Sequence, residues 1–385
     1  MEIQSVEGRP IKKGMSPGRR SAAGALTVLG AALGILVVGQ LVQPPGIPLD
    51  HALALIRADG HVELAKPDGS AATALTGTGV PADAVALLWA PGGDFLALRT
   101  TDAVVVVDRA GVVAWRKAVT GHSASFAWSP DGSRIAILDA GGGVSSTGSA
   151  RASLQVLTQS GALEWDLPLP DDFGVVTGFG NLAWSPDGGF LAFTGYTNEG
   201  LSAGLQPTRL WIGNLSSQTI VPRSEESNTF VAAPAWASDG SLYVARNAFE
   251  ETGIWRIDPS TGQATLVLRR QMDSCAAGAD CRFDGIDDLA PSPDGSRLAF
   301  QDATRELTVV VVGTGAITVV PGTGSLAFTV SAWASGGSSL LYLAAAPPPA
   351  DPGRPRDLAR FDLATGSAEA VLPDVRAFDL LTVPN

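Results

Sequence analysis

Histidine, cysteine and charge are all scarce in this chain of 385 residues, which holds 3 His, 2 Cys and only 17% charged residues. His51, His61 and His122 are scattered, and no Cys-x-x-Cys is present, so the ligand spacing of a zinc site is missing. No Gly-x-Ser-x-Gly occurs, which removes the nucleophile elbow of the α/β-hydrolases. Basic residues are outnumbered, 26 Lys and Arg against 38 Asp and Glu, for a formal net charge of −12. A chain of that sign lacks the basic patches that neutralise nucleic-acid phosphates, and its folded part is repelled by an anionic membrane surface. After residue 43 no long stretch has helical periodicity. Disorder is excluded from the other side, because 45% of the residues are hydrophobic.

One segment differs from the rest. Residues 22–42, AAGALTVLGAALGILVVGQLV, carry no charge, a length that spans a bilayer core as a helix. The preceding residues 1–20 hold Arg9, Lys12, Lys13, Arg19 and Arg20 against Glu2 and Glu7. The positive-inside rule keeps that basic tail in the cytoplasm and sends the remainder across. The competing reading is a cleaved signal peptide, but the segment runs into Gly-Gln-Leu-Val-Gln-Pro-Pro, a poor cleavage site. The expected organisation is a cytoplasmic tail (1–20), a transmembrane helix (21–43), a proline-rich linker (44–51) and one extracytoplasmic domain (52–385). In that compartment Cys275 and Cys281, in DSCAAGADCRF, are expected to form a disulfide that staples a loop; two free thiols are the alternative.

The domain is repetitive. A Trp-Ser-Pro-Asp-Gly motif followed by a short apolar strand stands at 126–138 (FAWSPDGSRIAIL) and 182–193 (LAWSPDGGFLAF), with looser copies at 87–98, 234–245, 289–300 and 331–343. Its tryptophans are Trp89, Trp128, Trp184, Trp236 and Trp333, with Pro291 in the odd copy. Each copy is followed by two more runs of β-formers around a polar or Gly-containing turn, as in AVVVVDRAGVVAW (103–115) and GIWRIDPSTGQATLVL (253–268). Proline at turn position i+1 presets φ, Asp bonds nearby amides and Gly supplies positive φ. A residue recurring in nearly every unit is structural, so Asp131 and Asp187 are read as turn formers and not as catalytic carboxylates.

These residues resemble the TolB-like, WD-like propeller repeat over residues 51–385. The resemblance implies an all-β fold, a β-propeller of radially arranged four-stranded blades, and a family that mostly binds proteins or serves as a scaffold. Seven blades are expected, with six or eight as alternatives. The stretch 52–77 supplies three strands with no first strand before them, and 375–383 (VRAFDLLTV) is a first strand with nothing after it. The two termini together complete one blade and leave no open edge.

In such a blade the tight turns emerge on one face and the long connections on the other, and binding residues favour loops carried by a rigid scaffold. The candidate binding residues are Asp171 and Asp172; Tyr196, Asn198 and Glu199; and Arg246, Asn247, Phe249 and Glu250. Convergent carboxylates there, with Glu225, Glu226, Asp280, Asp284, Asp287 and Asp288, are read as solvated loop charge, because their spacing matches no calcium loop. No catalytic set, metal or cofactor is expected. The functional expectation is a single-pass, membrane-anchored extracytoplasmic propeller that binds a protein partner or an envelope component. The alternatives are a sensory ectodomain for a small-molecule ligand and a propeller hydrolase or lyase, which would need an acid/base set.

Overall fold

A computed structural model describes residues 52–120, 124–139, 152–169, 182–196, 208–223, 230–231, 234–247, 252–270, 286–302, 306–321, 323, 331–334, 336–344 and 356–381. All regular elements among them are β-strands joined in antiparallel sheets. Among the described residues no helix is long and apolar enough to cross a membrane, and the expected anchor at 21–43 lies outside them.

The strands fall into seven sets of four, two of which are continuous with each other. Leu53–Arg57, Val62–Ala65 and the two-residue strand Thr73–Ala74 belong to the first set. The second runs Ala86–Trp89, Phe95–Arg99, Ala103–Asp108, Val113–Ala118, and the third Ser125–Trp128, Arg134–Asp139, Ser153–Thr158, Leu163–Pro168. The fourth is Leu182–Trp184, Phe190–Tyr196, Thr208–Asn214, Thr219–Pro222. In the fifth the first strand is split into Phe230–Val231 and Ala235–Trp236, ahead of Leu242–Asn247, Thr252–Ile257 and Ala264–Arg270. Asp287–Pro291, Arg297–Gln301, Leu307–Val311 and Ile317–Val319 form the sixth. The seventh is Ser331–Trp333, Ser339–Leu343, Arg356–Asp362 and the early part of Ser367–Leu380.

That last strand serves two sets. Its first part pairs with Arg356–Asp362, and its end pairs with Leu53–Arg57, with Leu380 opposite Leu53, Phe378 opposite Leu55 and Val375 opposite Arg57. The expected closure of 375–383 against the first strand of the domain is therefore present over 375–380. Leu381 N–H donates to the Ala52 carbonyl at 2.8 Å, so the two ends of the domain lie side by side.

Side-chain alternation turns these sets into a cycle. In Arg134–Asp139, Ile135 and Ile137 pack against the second set, with Ala97, Val104 and Val106, while Ala136 and Leu138 pack against the fourth, with Trp184 and Phe193. Neighbouring Cβ atoms on a strand point to opposite faces, so a strand apolar at every position is one buried on both sides. A core of this kind lies between every consecutive pair of sets, and Leu53, Leu55, Leu341, Leu358 and Phe378 supply the one between the seventh and the first. The first strands neighbour one another in the same order, from Ala86–Trp89 round to Ser331–Trp333 and on to the C-terminal strand, which returns to Ala86–Trp89. They line the axis, and the fourth strands, such as Val113–Ala118 and Ile317–Val319, are the exposed outer edge.

The motif tryptophans tie the cycle together. Four occupy the same register, opposite the second residue of the next strand: Trp89 opposite Leu96, Trp128 opposite Ile135, Trp184 opposite Leu191 and Trp333 opposite Leu340. In three of the five the indole Nε1 reaches back across the boundary, while those of Trp89 and Trp236 are buried without a partner. Trp128 donates to the Leu88 carbonyl at 3.2 Å, Trp184 to Ala127 at 2.9 Å and Trp333 to Ala290 at 2.8 Å. Every acceptor is the residue just before the motif position of the preceding set. A Trp184→Phe variant keeps an aromatic ring of smaller volume and leaves the Ala127 carbonyl without its donor. It should lose about 1–2 kcal/mol in urea unfolding. Phe378→Ala, which hollows the closing core, should cost about 3–5 kcal/mol and lower the melting temperature by roughly 10 °C. Unchanged unfolding of Phe378→Ala would show that the closing core contributes nothing to the fold.

Candidate functional site

The repeated turn is a closed hydrogen-bonding unit, and the structure repeats it almost atom for atom. In the third set Gly132 N–H donates to the Ser129 carbonyl at 2.8 Å and Ser129 N–H to the Arg134 carbonyl at 2.9 Å. The buried Ser129 hydroxyl donates to Asp131 Oδ1 at 2.6 Å and accepts from Arg134 N–H at 3.0 Å. Asp131 Oδ1 also accepts from Ser133 N–H at 3.0 Å. Ser185 with Asp187 and Ser292 with Asp294 do the same. The glycine that ends the turn has φ of +68, +69 and +70° at Gly132, Gly188 and Gly295, the region that L side chains avoid. Hydroxyl and amide donors hold these carboxylates in the charged form. Ser129 lowers the pKa of Asp131, Ser185 that of Asp187, and Ser292 leads the effects that bring Asp294 down to about 2. A carboxylate so satisfied is poorly placed to abstract a proton or bind a ligand, which fits the structural reading of the motif.

The second kind of tight turn behaves alike. Asp258 accepts from Ser260 and Thr261, and the Ser260 hydroxyl leads the bonds that lower its pKa to about 2. Asp362 accepts from Ala364 and Thr365. Asn214, in the Asn-Leu-Ser sequence, is a turn former of the same type, accepting from Ser216 N–H at 3.0 Å and Ser217 N–H at 3.1 Å. The turn face is thus lined by side chains already engaged with their own backbone.

The opposite face gathers the long connections. Segments 197–207 and 248–251 leave the second strands of the fourth and fifth sets, and 170–181 joins the third set to the fourth, so all three emerge at the same end of adjacent sets. They carry the candidates Asp171, Asp172, Asn198, Glu199, Phe249 and Glu250, which lie outside the described residues, as do Cys275 and Cys281. Tyr196 ends its strand opposite Thr208, and Asn247 lies opposite Thr252 and Phe230, so the topology puts both at this end. Arg246, half-buried beside Asn247, holds its guanidinium 5.2 Å above the Trp255 ring, a cation–π contact that fixes it at the rim.

This end also carries charges outside the long connections, and Asp288, expected as solvated loop charge, belongs to a strand among them. Arg270 closes the fifth set and pairs at 2.5 Å with Asp302 of the sixth, whose carboxylate is buried. Arg99 is fully buried at the end of its strand; burial lowers its pKa and the Asp139 charge of the third set partly restores it. Arg356 of the seventh set stands in the same relation to Asp288 of the sixth, and Asp288 adopts a left-handed φ of +54° where the strand register shifts. All three pairings cross a boundary between sets, so they join neighbours at the loop end as the tryptophans do at the inner edge. Among the described residues no group of three or more His, Cys, Asp or Glu is arranged to hold a metal.

The C-terminal strand adds one residue that does not fit the pattern. In the register of the sets, Leu380 takes the tryptophan position and Asp379 the one before it. The corresponding residues elsewhere are Leu88, Ala127, Ala183, Ala235, Ala290 and Ala332. Alignment on the motif therefore contains the signal, a carboxylate in an otherwise apolar column.

No known family's sequence profile matches the chain, and no curated protein matches it. Solved structures do. A puromycin hydrolase mutant matches with TM-score 0.57 and 18% identity over 84% of this chain and 52% of its own. The tricorn protease matches at 0.55 and 14%, covering 87% and 35% of the two chains. A functionally unknown protein from Desulfotomaculum acetoxidans matches at 0.55 and 13%, over 86% of this chain and 99% of its own. This chain has the β-propeller fold. It spans about half the length of the puromycin hydrolase and about a third of tricorn, so the likeness is to a part of each.

The turn chemistry of this propeller is directly testable. Ser292→Ala removes both bonds of the Ser292 hydroxyl, to Asp294 and from Arg297, and should cost about 1–2 kcal/mol at pH 7. The depressed pKa of Asp294 means its contribution is present above the ordinary carboxylate range and is lost as pH falls through about 2. Ser292→Ala should thus begin acid unfolding at a higher pH than the wild type; coincident acid transitions would disprove the turn's electrostatic role.

Proposed function

We propose that the chain is a membrane-anchored, extracytoplasmic seven-bladed propeller that acts as a protein-binding scaffold and engages its partner with the long-connection face. The observation that carries this reading is the division of labour between the two faces. One face is made of short turns whose polar groups are bonded among themselves, and the other collects the long connections and the half-buried charges of Arg246, Asp288 and Arg356. The chain enters and leaves on the turn face, because Ala52 and Leu381 are hydrogen-bonded there. A proline-rich linker of eight residues, extended at about 3.1 Å per residue, reaches roughly 25 Å from an anchor at 21–43. The motif carboxylates are committed to turns, so no acid/base set is built from the repeat, and the scaffold reading is preferred to an enzymatic one.

Site-specific photo-crosslinkers in the full-length, membrane-inserted chain test this. Positions 199 and 249 should form partner adducts, and Ser133 and Thr261 on the turn face should not. Adducts confined to Ser133 and Thr261 would assign the binding surface to the turn face and overturn the proposal.

A further inference from the structure

The boundary between the first and second sets is closed by a side-chain link. At three other boundaries an indole Nε1 reaches back to a carbonyl, from Trp128 to Leu88, Trp184 to Ala127 and Trp333 to Ala290, whereas the Trp236 Nε1 has no such partner and Pro291 stands at the position in the sixth set. At this boundary the Trp89 Nε1 is buried without a hydrogen-bond partner, and the Arg109 guanidinium lies 4.7 Å over its ring. The link is made instead by a side chain: Asp379 Oδ2 accepts the main-chain N–H of Trp89 at 2.7 Å. In the ladder the Ala90 N–H pairs outward with Phe95, so the Trp89 N–H projects from the inner edge of its sheet. Asp379 covers that donor from the strand that closes the ring.

We propose that Asp379 makes ring closure pH-sensitive: the seam between the C-terminal strand and the second set is tight when this carboxyl is protonated and loosens when it ionises. Both forms accept the Trp89 amide, but only the ionised form leaves a charge at an edge walled by Trp89, Leu380 and Leu381. No cation is among the groups that shift its titration. Arg109 is spent on the Trp89 ring and the Gly93 carbonyl, and Arg57 pairs with Glu63 at the far end of the neighbouring strand. Ala86–Trp89 carries no charged residue; the strand paired with it, Phe95–Arg99, carries the buried Arg99, with Asp94 in the turn between them; Asp379's own strand carries Glu369, Asp374 and Arg376, and Arg356–Asp362 beside that strand carries Arg356, Asp357, Arg360 and Asp362. Burial raises the Asp379 pKa to about 6, with the Trp89 and Leu380 amides pulling the other way. A folded pKa above the unfolded one means that the added stability is complete below about 4 and is lost as pH rises through about 6. The opened strand would uncover the edge of Leu53–Arg57, a template for another extended segment.

The test is hydrogen exchange of the full-length chain, comparing the opening equilibrium of 375–381 at pH 5 and pH 7.5 after correction for intrinsic rates. Because Asp379 is half-buried and partly screened, we expect opening to rise about ten-fold across this range. Opening of Ser153–Thr158, on the far side of the ring, should not change. In Asp379→Asn, which keeps an acceptor for Trp89 and cannot ionise, opening of 375–381 should be the same at both pH values. A ten-fold rise that persists in Asp379→Asn would overturn the proposal, as would equal opening at both pH values in the wild type. Should Asp379→Asn not fold, the wild-type comparison of 375–381 with Ser153–Thr158 decides alone.

Discussion

Every sheet in this molecule must be buried on both faces, and that single constraint governs the rest. A four-stranded sheet with apolar residues at consecutive positions, such as Ala103–Asp108 or Arg134–Asp139, has no face it can show to water. Packing each face against another sheet moves the problem to the next neighbour, and only a cycle ends it. The seven cores are the physical record of that solution, and none is larger in kind than the others. Closure is therefore obligatory, and the chain achieves it by splitting one set between its two ends. The cost of that split is that the closing core, from Leu53 to Phe378, depends on contacts about 320 residues apart in sequence, whose loop entropy must be overcome before they form.

Much of this was legible in the sequence for a physical reason. The turn chemistry of Ser-Pro-Asp-Gly is local, so its hydrogen bonds can be read from five consecutive residues. The strand register follows from the tryptophan, and the missing first strand at 52–77 with the orphan at 375–383 implied the closure. What stayed hidden is non-local. The Arg270–Asp302 pair joins residues 32 apart, and nothing in either segment names the other. The split of the fifth set's first strand between Phe230–Val231 and Ala235–Trp236 is likewise not written in the looser motif copy at 234–245. Asp379 belongs to the same class: within 375–383 it is one polar residue of a strand, and it is exceptional only in register with the six other first strands.

The faces of the propeller divide along the same line. Residues that recur are turn formers or boundary staples, and the chain's individuality lies in what does not recur: the long connections, the charged rim at Arg246 and Asp288, and Asp379 at the seam. A fold shared with parts of a puromycin hydrolase and of tricorn says nothing by itself about activity, because function resides in such non-repeating groups. The scaffold reading rests on the difference between a face of self-satisfied turns and a face that carries these groups.

The central claim is that Leu53–Arg57 is an interior strand because the far end of the chain pairs with it. In an antiparallel strand, alternate amides point to opposite neighbours. Residue-resolved hydrogen exchange on the full-length chain under conditions of maximal stability separates the two. The account predicts that all the amides from Leu53 to Ile56 exchange slowly, half protected by Val62–Ala65 and half by 375–380. Rapid exchange of every second amide would show an open edge there, and the closed ring would be contradicted.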